Sequence, residues 1–350
     1  MSEKLVSMTE KMHEAMFWHK ESLAKIAGIR CELCARRCFI PEGKRGFCLV
    51  RENKGNKLFS LNYGKVVALN TDPIEKKPLF HFYPGSFALS YACAGCNWRC
   101  KYCCNWEISQ NVDPEKWGTN YLSEQIVEMA EKAGLNIISH TYTEPTVFFE
   151  FAFDIAKLAN RKKMKNTFVT NGYITEEPLK KISKFLDAAT VDFKASGDEK
   201  FLNDFASVPS AEPIFQTLKL MKKLGIHIEI TDLIIPKIGD DVKKFRELVK
   251  WVVDNLGPDT PFHILRFFPS YKMSEFPDTP LETLEKFAAE SKKMGMKYVY
   301  VGNVPGHKYE NTYCSNCNEL LVERIGFNVV LNLKKNKCPK CGKEINVVLD

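Results

Sequence analysis

Three cysteines crowd into the segment Cys96-Asn97-Trp98-Arg99-Cys100-Lys101-Tyr102-Cys103, at three-then-two spacing. Thiolates so spaced in one tight loop suit a four-iron, four-sulfur cluster and leave one of its irons without a protein ligand. An open iron can take a small chelate, and the amino and carboxylate groups of S-adenosylmethionine (SAM) make one. That is redox chemistry rather than a structural staple. Short cysteine runs also bind zinc or persist as reduced thiols, so spacing alone leaves those readings open.

Two further groups carry metal-ligand spacing. Cys31-x2-Cys34-x3-Cys38-x9-Cys48, with Gly43 and Gly46 in its longer loop, brings four thiols into eighteen residues. They are expected to share a metal. Zinc is the first expectation and an auxiliary iron–sulfur cluster the alternative, because both accept four cysteines. At the other end Cys314-x2-Cys317 and Cys338-x2-Cys341 flank Leu320 to Leu333, which reads as a hairpin through Gly326. Two knuckles joined by a hairpin form a zinc-ribbon pattern, in which the metal replaces the core that forty residues cannot build.

The thirteen cysteines would read as disulfides in a secreted chain. Residues 1 to 25, however, mix Glu, Lys and His among Met, Phe and Trp, unlike a secretory signal, and no apolar run reaches the length of a membrane span. A cytoplasmic protein with metal-bound thiols and no membrane partner is expected. The net charge of +7 is spread along the chain, with lysine-rich patches at Arg161 to Lys165 and Lys334 to Lys343. Such runs are usually solvated faces.

Positioning these groups requires a scaffold. Leu5, Met8, Met12, Met16 and Leu23 fall near helical spacing, so a helix is predicted over residues 1 to 27, stopped by Gly28. Residues 57 to 70 read as a hairpin turning at Asn62 to Gly64, followed by a link punctuated by Pro73, Pro78 and Pro84. From Phe87 onward, strands are predicted near 87–92, 137–141, 166–170, 188–193, 227–235, 262–268 and 297–301. Helical periodicity lies between them at Leu122 to Ala133, Glu177 to Phe185, Ile214 to Leu224, Val242 to Asn255 and Leu281 to Met294. Repeated βα units imply an α/β fold with a parallel sheet, an open or partial barrel of about six to seven strands. Chemistry in such folds sits at the carboxyl ends of the strands. The cysteine loop follows the first of them directly.

Successive strand ends supply Thr141-Tyr142-Thr143-Glu144-Pro145, then Thr170-Asn171-Gly172, then Asp192-Phe193-Lys194. Backbone carbonyls at the first can receive a methionyl ammonium, and Lys194 can donate to its carboxylate or to the ribose region. Singly, each segment reads as a strand end, a turn or a surface ion pair. Together behind the cysteine loop they fit a SAM site.

The cysteine motif with Tyr102 before its last thiol resembles the radical SAM superfamily. Residues Gly95 to Cys103, Asn105-Trp106-Glu107-Ile108-Ser109, Tyr142 to Phe148 and Val301-Gly302-Asn303-Val304 resemble more narrowly the radical SAM member of the AmmeMemoRadiSam system, over nearly the whole chain. That family is similar to pyruvate formate-lyase activating enzymes. The resemblance implies a partial (β/α)6-type radical SAM barrel at residues 81–308, between an N-terminal Cys-rich module at 1–80 and a zinc ribbon at 309–350. It implies a [4Fe–4S] cluster on Cys96, Cys100 and Cys103, SAM held by Tyr102, Thr143, Glu144, Thr170, Asn171, Asp192 and Lys194, and hydrogen abstraction by a 5′-deoxyadenosyl radical. A protein or peptide substrate, a glycine among the candidates, competes with a small metabolite.

It further implies an electron donor such as flavodoxin or ferredoxin, and Memo-type and AMMECR-type partner proteins. The family pattern has Gln after the third cluster cysteine, where this chain has Cys104. Cys104 is therefore a candidate catalytic thiol, with Cys93 beside it, and a small buried side chain is the plain alternative. His263 lies on the predicted sixth strand, three residues from Arg266, and by resemblance can approach SAM. Asp232 and His140 are lesser candidates that also fit satisfied core groups. A rival class is a metal-rich RNA-binding or RNA-modifying protein using the ribbon. No stacked aromatic-and-basic surface is identifiable in the sequence, so a nucleic-acid partner is not expected.

Overall fold

Between Phe87 and Gly302, β-branched and aromatic runs too short for helices alternate with amphipathic stretches long enough to recross a sheet. They fold accordingly. The computed structural model describes residues 12–111, 118–333 and 335–349. Its main sheet has nine strands, seven of them parallel: β8 (Phe87–Cys93), β10 (Ile137–His140), β11 (Lys165–Thr170), β12 (Ala188–Lys194), β13 (His227–Ile234), β14 (Phe262–Arg266) and β15 (Val299–Gly302). These lie side by side in sequence order, and β7 (Lys65–Pro73) and β9 (Thr119–Asn120) add antiparallel edges beyond β8. Crossovers of one hand, always stepping the same way, put the helices on one face and leave the other as a concave interior. β9 and β15 are the two edges, so the barrel is open.

Each predicted strand in this core has a counterpart within a few residues, as do the five predicted helices. Among the described residues, Phe149–Arg161, Glu199–Ala206 and the single turn Trp106–Ser109 are α-helices additional to those expected. The first opens on Phe149, Phe151 and Phe153, aromatic residues whose alternate spacing also suits a strand.

The N-terminal segment departs from expectation. Residues 1–11 lie outside the described residues, and residues 12–27 are not helical. They form β1 (His13–Glu14), β2 (Trp18–Leu23) and the start of β3 (Ile26–Cys31), with a turn at Ala24-Lys25, both at positive φ. β2 pairs with β3 from Trp18↔Cys31 to Leu23↔Ile26, and β3 pairs with β4 (Phe39–Pro41). Of the apolar spacing that reads as a helix face, Met12 and Leu23 are solvent-exposed while Met16 packs against the core, so the described part of it does not form one buried face.

The predicted 57–70 hairpin is also absent. β6 (Lys57–Ser60) pairs with β1 and β5 (Arg51–Lys54), whereas β7 crosses into the main sheet. At the expected turn Asn62 is buried and donates to the carbonyl of Ala94 (2.8 Å), which redirects the chain from one sheet to the next.

The C-terminal β16 (Thr312–Tyr313), β17 (Leu320–Ile325) and β18 (Asn328–Leu331) form the expected small antiparallel sheet. Between the peripheral parts, the stretch Lys77 to Phe82 enters the barrel's interior at its amino-terminal end. Thr190 donates to the carbonyl of Lys77 (2.5 Å), and Glu229 accepts from the amides of Phe80 (3.0 Å) and His81 (2.7 Å). Arg324 of the ribbon sheet, itself buried, holds the carbonyl of Phe80 at 2.7 Å. Among the described residues no helix is long and apolar enough to cross a membrane.

Candidate active site

The loop after β8 folds around its own cysteines. Trp98 is buried and meets Tyr173 edge-on, which fixes the loop's inner side. The amide of Trp98 points at the Cys96 sulfur (3.4 Å), the Ser109 hydroxyl lies 3.3 Å from the Cys103 sulfur, and Gln110 donates to the carbonyl of Cys100 (2.8 Å). Tyr102 packs on Phe201, its hydroxyl beside the Cys100 thiol. Burial, with the neighbouring Glu144 and Cys100, pushes the Cys96 thiol far up; burial and Cys103 push Cys100 to about 12. Cys96 and Cys100, so desolvated, are unfavourable as free thiolates, and a cation held by them together with Cys103 would relieve that cost.

Strand ends β10, β11 and β12 converge on this loop. Glu144 is buried, and its carboxylate accepts from Thr146 N and Oγ1, Thr170 Oγ1 (2.8 Å) and Asn171 N (2.8 Å). Desolvation nonetheless keeps its pKa above the ordinary value. Asn171 donates to Asn97 Oδ1 (2.7 Å), inside the cysteine loop, and its amide nitrogen lies 4.0 Å from Cys96 Sγ. Thr143 donates to the carbonyl of Cys93 (2.7 Å), and Asn105 donates to the carbonyl of Tyr142 (2.7 Å). Glu144, Thr170, Asn171 and Thr143 therefore stitch the mouth together, their side chains engaged within the protein.

Lys194 and Asp192 form the charged wall. They pair at 3.2 Å, and Thr231 Oγ1 also donates to Asp192. Desolvation would lower Lys194, but the charges of Asp192 and Cys100 outweigh it and hold its pKa above the ordinary value, so it stays a cation. Cys104 is exposed; partial desolvation and Cys103 raise its thiol, and Lys194 opposes them from the same mouth. On the far rim Tyr271 stacks on Trp106 at 4.7 Å, and Ser270 reaches the carbonyl of Cys103.

Other candidates lie elsewhere. His263 is the second residue of β14; its ring bonds Glu229 Oε2 at 2.8 Å, stacks on Tyr300 and meets Phe80 edge-on, inside the plugged end of the barrel. Burial would raise Glu229, but its bonds from His227 and His263 hold it well below the usual carboxylate range. His140 bonds the Tyr91 hydroxyl at 2.6 Å and is driven down to about 3 by burial. Asp232 shares its row with Phe193, which packs on the helix layer, and both its oxygens are taken by Ser196 (2.8 and 2.7 Å). Cys93 is fully buried.

Residues the sequence reasoning passed over include Asn97, Gln110, Thr231 and Tyr271. Thr231 alone had a signal, since strand alternation puts Glu229, Thr231 and Leu233 on one face.

A family model described as the Radical SAM superfamily matches residues 91–252. An uncharacterized protein of Methanocaldococcus jannaschii is 46% identical over 97% of this chain and 100% of its own length. A second protein of that organism, provisionally named a glycyl-radical enzyme activating enzyme, is 24% identical over 59% of this chain and 75% of its own. Of solved structures, a radical SAM methyltransferase from Sphaerobacter thermophilus shares the fold at 15% identity, with a TM-score of 0.50 over 63% of this chain and 67% of that one. The chain belongs to the radical SAM superfamily. Membership implies an enzyme that cleaves SAM with a [4Fe–4S] cluster.

Proposed function

We propose that the chain acts as a radical SAM enzyme of the activating-enzyme kind, within an AmmeMemoRadiSam system, and abstracts hydrogen from a protein or peptide. The observation that carries this reading is the convergence of Cys96, Cys100 and Cys103 with the Lys194–Asp192 pair at one barrel mouth. When bound, the cluster and SAM would together supply a 5′-deoxyadenosyl radical. Cys96, Cys100 and Cys103 would hold the cluster. Lys194, kept cationic, would meet the carboxylate or the ribose region of SAM. The backbone carbonyl of Tyr142 would receive the ammonium after exchanging its bond from Asn105. Glu144, Thr170 and Asn171 would position these groups without touching the reacting atoms.

An open barrel gives a wide mouth, which favours a large substrate, and the stacked pair Trp106–Tyr271 forms its rim. A flavodoxin or ferredoxin would supply the electron, Memo-type and AMMECR-type proteins would be partners, and zinc would occupy the ribbon. Anaerobically reconstituted protein, reduced and given SAM, should release 5′-deoxyadenosine, and the Cys100→Ala variant should release none. A fully reduced wild-type cluster that yields no 5′-deoxyadenosine, alone or with the Memo-type and AMMECR-type proteins added, would overturn the reading.

A further inference from the structure

The cysteine groups divide by the spread of their sulfurs. A tetrahedral zinc with bonds of roughly 2.3 Å holds its four sulfurs roughly 3.8 Å apart. In the ribbon Cys314···Cys341 and Cys317···Cys338 both stand at 3.6 Å. Among the described residues, these four form the one set of potential metal ligands whose atoms all lie within 4.8 Å of one another. Cys31, Cys34, Cys38 and Cys48 remain a group, since Cys34 lies within electrostatic range of the other three, yet they are not drawn together in this way. Instead they ring a buried cavity whose wall they share with Arg36, Arg51 and Asn97. The Cys96 loop shows the same wider spread. One metal atom pulls its thiolates close, whereas a cube of iron and sulfide holds them apart around itself.

We propose that the N-terminal module holds a second [4Fe–4S] cluster, in place of the zinc first expected there, seated so that single electrons pass to the Cys96 loop. The wall of the cavity is built for it. Arg51 and Asn97 are both buried, and Arg51 Nε and Asn97 Nδ2 have no hydrogen-bond partner among the described residues. Buried N–H groups are nearly always paired, and sulfides on the faces of a cube offer acceptors beyond the four thiolates. A backbone amide already points at one of the sulfurs, that of Phe47 at Cys38 Sγ (3.5 Å). Such N–H···S contacts tune iron–sulfur potentials.

The two cysteine loops adjoin. Asn97 lines the N-terminal cavity while lying between Cys96 and Cys100, and Arg36 Nε donates to its carbonyl at 2.8 Å. A Cβ on Gly95, next to Cys96, would fall 3.1 Å from the carbonyl oxygen of Cys48. An electron from a low-potential donor of the ferredoxin or flavodoxin class would reduce the N-terminal cluster from 2+ to 1+. Its transfer would return that cluster to 2+ and reduce the site cluster, with no bond made and no proton moved.

This role rests on the cluster reading of the Cys96 loop; the metal's identity does not, and the test separates them. Full-length Cys96→Ala/Cys100→Ala/Cys103→Ala protein, reconstituted anaerobically with iron and sulfide, should keep about four iron and four sulfide per chain, with a reducible, paramagnetic cluster. Iron near zero with about two zinc per chain would overturn the proposal. Should that variant not fold, Cys34→Ala/Cys38→Ala should hold about four iron where the wild type holds about eight, and undiminished iron would overturn it. A wild type with about four iron, all kept by the triple variant, would instead remove the site cluster and leave the second one standing. In the Cys34→Ala/Cys38→Ala protein the ratio of SAM cleavage with reduced ferredoxin to that with dithionite should fall at least tenfold below the wild-type ratio. A ratio unchanged from wild type would refute the transfer role.

Discussion

Replacing Gly95 by alanine tests how closely the two cysteine loops must approach. Gly95 sits at φ +104°, a region L-residues rarely enter, and the added methyl would stand 2.7 Å from Val50 Cγ1, 3.0 Å from Val50 Cγ2 and 3.1 Å from Cys48 O. The backbone conformation costs roughly 1–3 kcal/mol for a non-glycine residue. Forcing the methyl into packed neighbours adds about 1–3 kcal/mol, so a loss of roughly 2–6 kcal/mol is expected. Gly134→Ala is the control, because φ there is +67° with nothing within 4 Å, and only a backbone cost of about 1–2 kcal/mol applies. With an unfolding entropy of about 2.1 cal/mol/K per residue, the 350-residue chain should lose about 3–8 °C in Tm from Gly95→Ala. Gly134→Ala should lose about 1–3 °C on the same basis. Anaerobic thermal melts followed by circular dichroism, with iron counted before each melt, give both readouts. A Gly95→Ala protein that melts with the control and carries wild-type iron would refute the close-approach argument.

Lys194→Met should raise the Kd for SAM at least tenfold, about 1.4 kcal/mol, with the cluster retained; equilibrium dialysis showing wild-type affinity would exclude Lys194 from the SAM site. Burial raises Asp232 from its ordinary value to about 6, so its protonated form suits the fold. The stability it contributes is present below about pH 4 and is lost as pH rises through about 6, up to about 3 kcal/mol. Asp232→Asn should therefore gain on the wild type across that window in urea-unfolding midpoints, and parallel pH profiles would sink the assignment. Arg324→Met removes a buried cation from Phe80 O, Glu310 O and Thr312 Oγ1 and leaves buried Glu75 without its cation at 3.7 Å. A loss of about 3–5 kcal/mol is expected, read as faster proteolysis between barrel and ribbon; unchanged digestion would show that this anchor is dispensable.

Local signals carried much of the architecture. The parallel strands were legible because each is a short apolar run bounded by turn residues, and the cysteine loop was placed because its spacing is itself the motif. Features decided by distant chain were not. His263 reads as a candidate on its own strand, yet its partners are Glu229, 34 residues away, and Phe80, which arrives from before the sheet begins. The apolar spacing ahead of Gly28 is compatible with a helix until β3 and β4 are there to pair with. Cys31-x2-Cys34 and Cys314-x2-Cys317 have identical local spacing, and only the fold shows that one belongs to a spread set and the other to a tight one.

The additions around the barrel divide the labour between its ends. At the amino-terminal end Lys77 to Phe82 fills the interior, and the ribbon clamps it through Arg324 on Phe80 and through Asn346 O, 2.7 Å from His81 Nδ1. Polar groups there are spent on one another: Glu229 with two histidines and two amides, Tyr300 with His81 and Thr312. At the carboxyl end the N-terminal module packs on the cysteine loop through Arg36 and through Arg99, which reaches the carbonyl of Phe47. Among the described residues Lys194, exposed Cys104 and the stacked Trp106–Tyr271 pair stand at that end, with Lys272 Nζ 5.2 Å from the Tyr271 ring. Under the proposed function a substrate entering there would meet the Lys194 and Lys272 cations, an exposed thiol and an aromatic pair, so these side chains and the shape of the rim would set specificity.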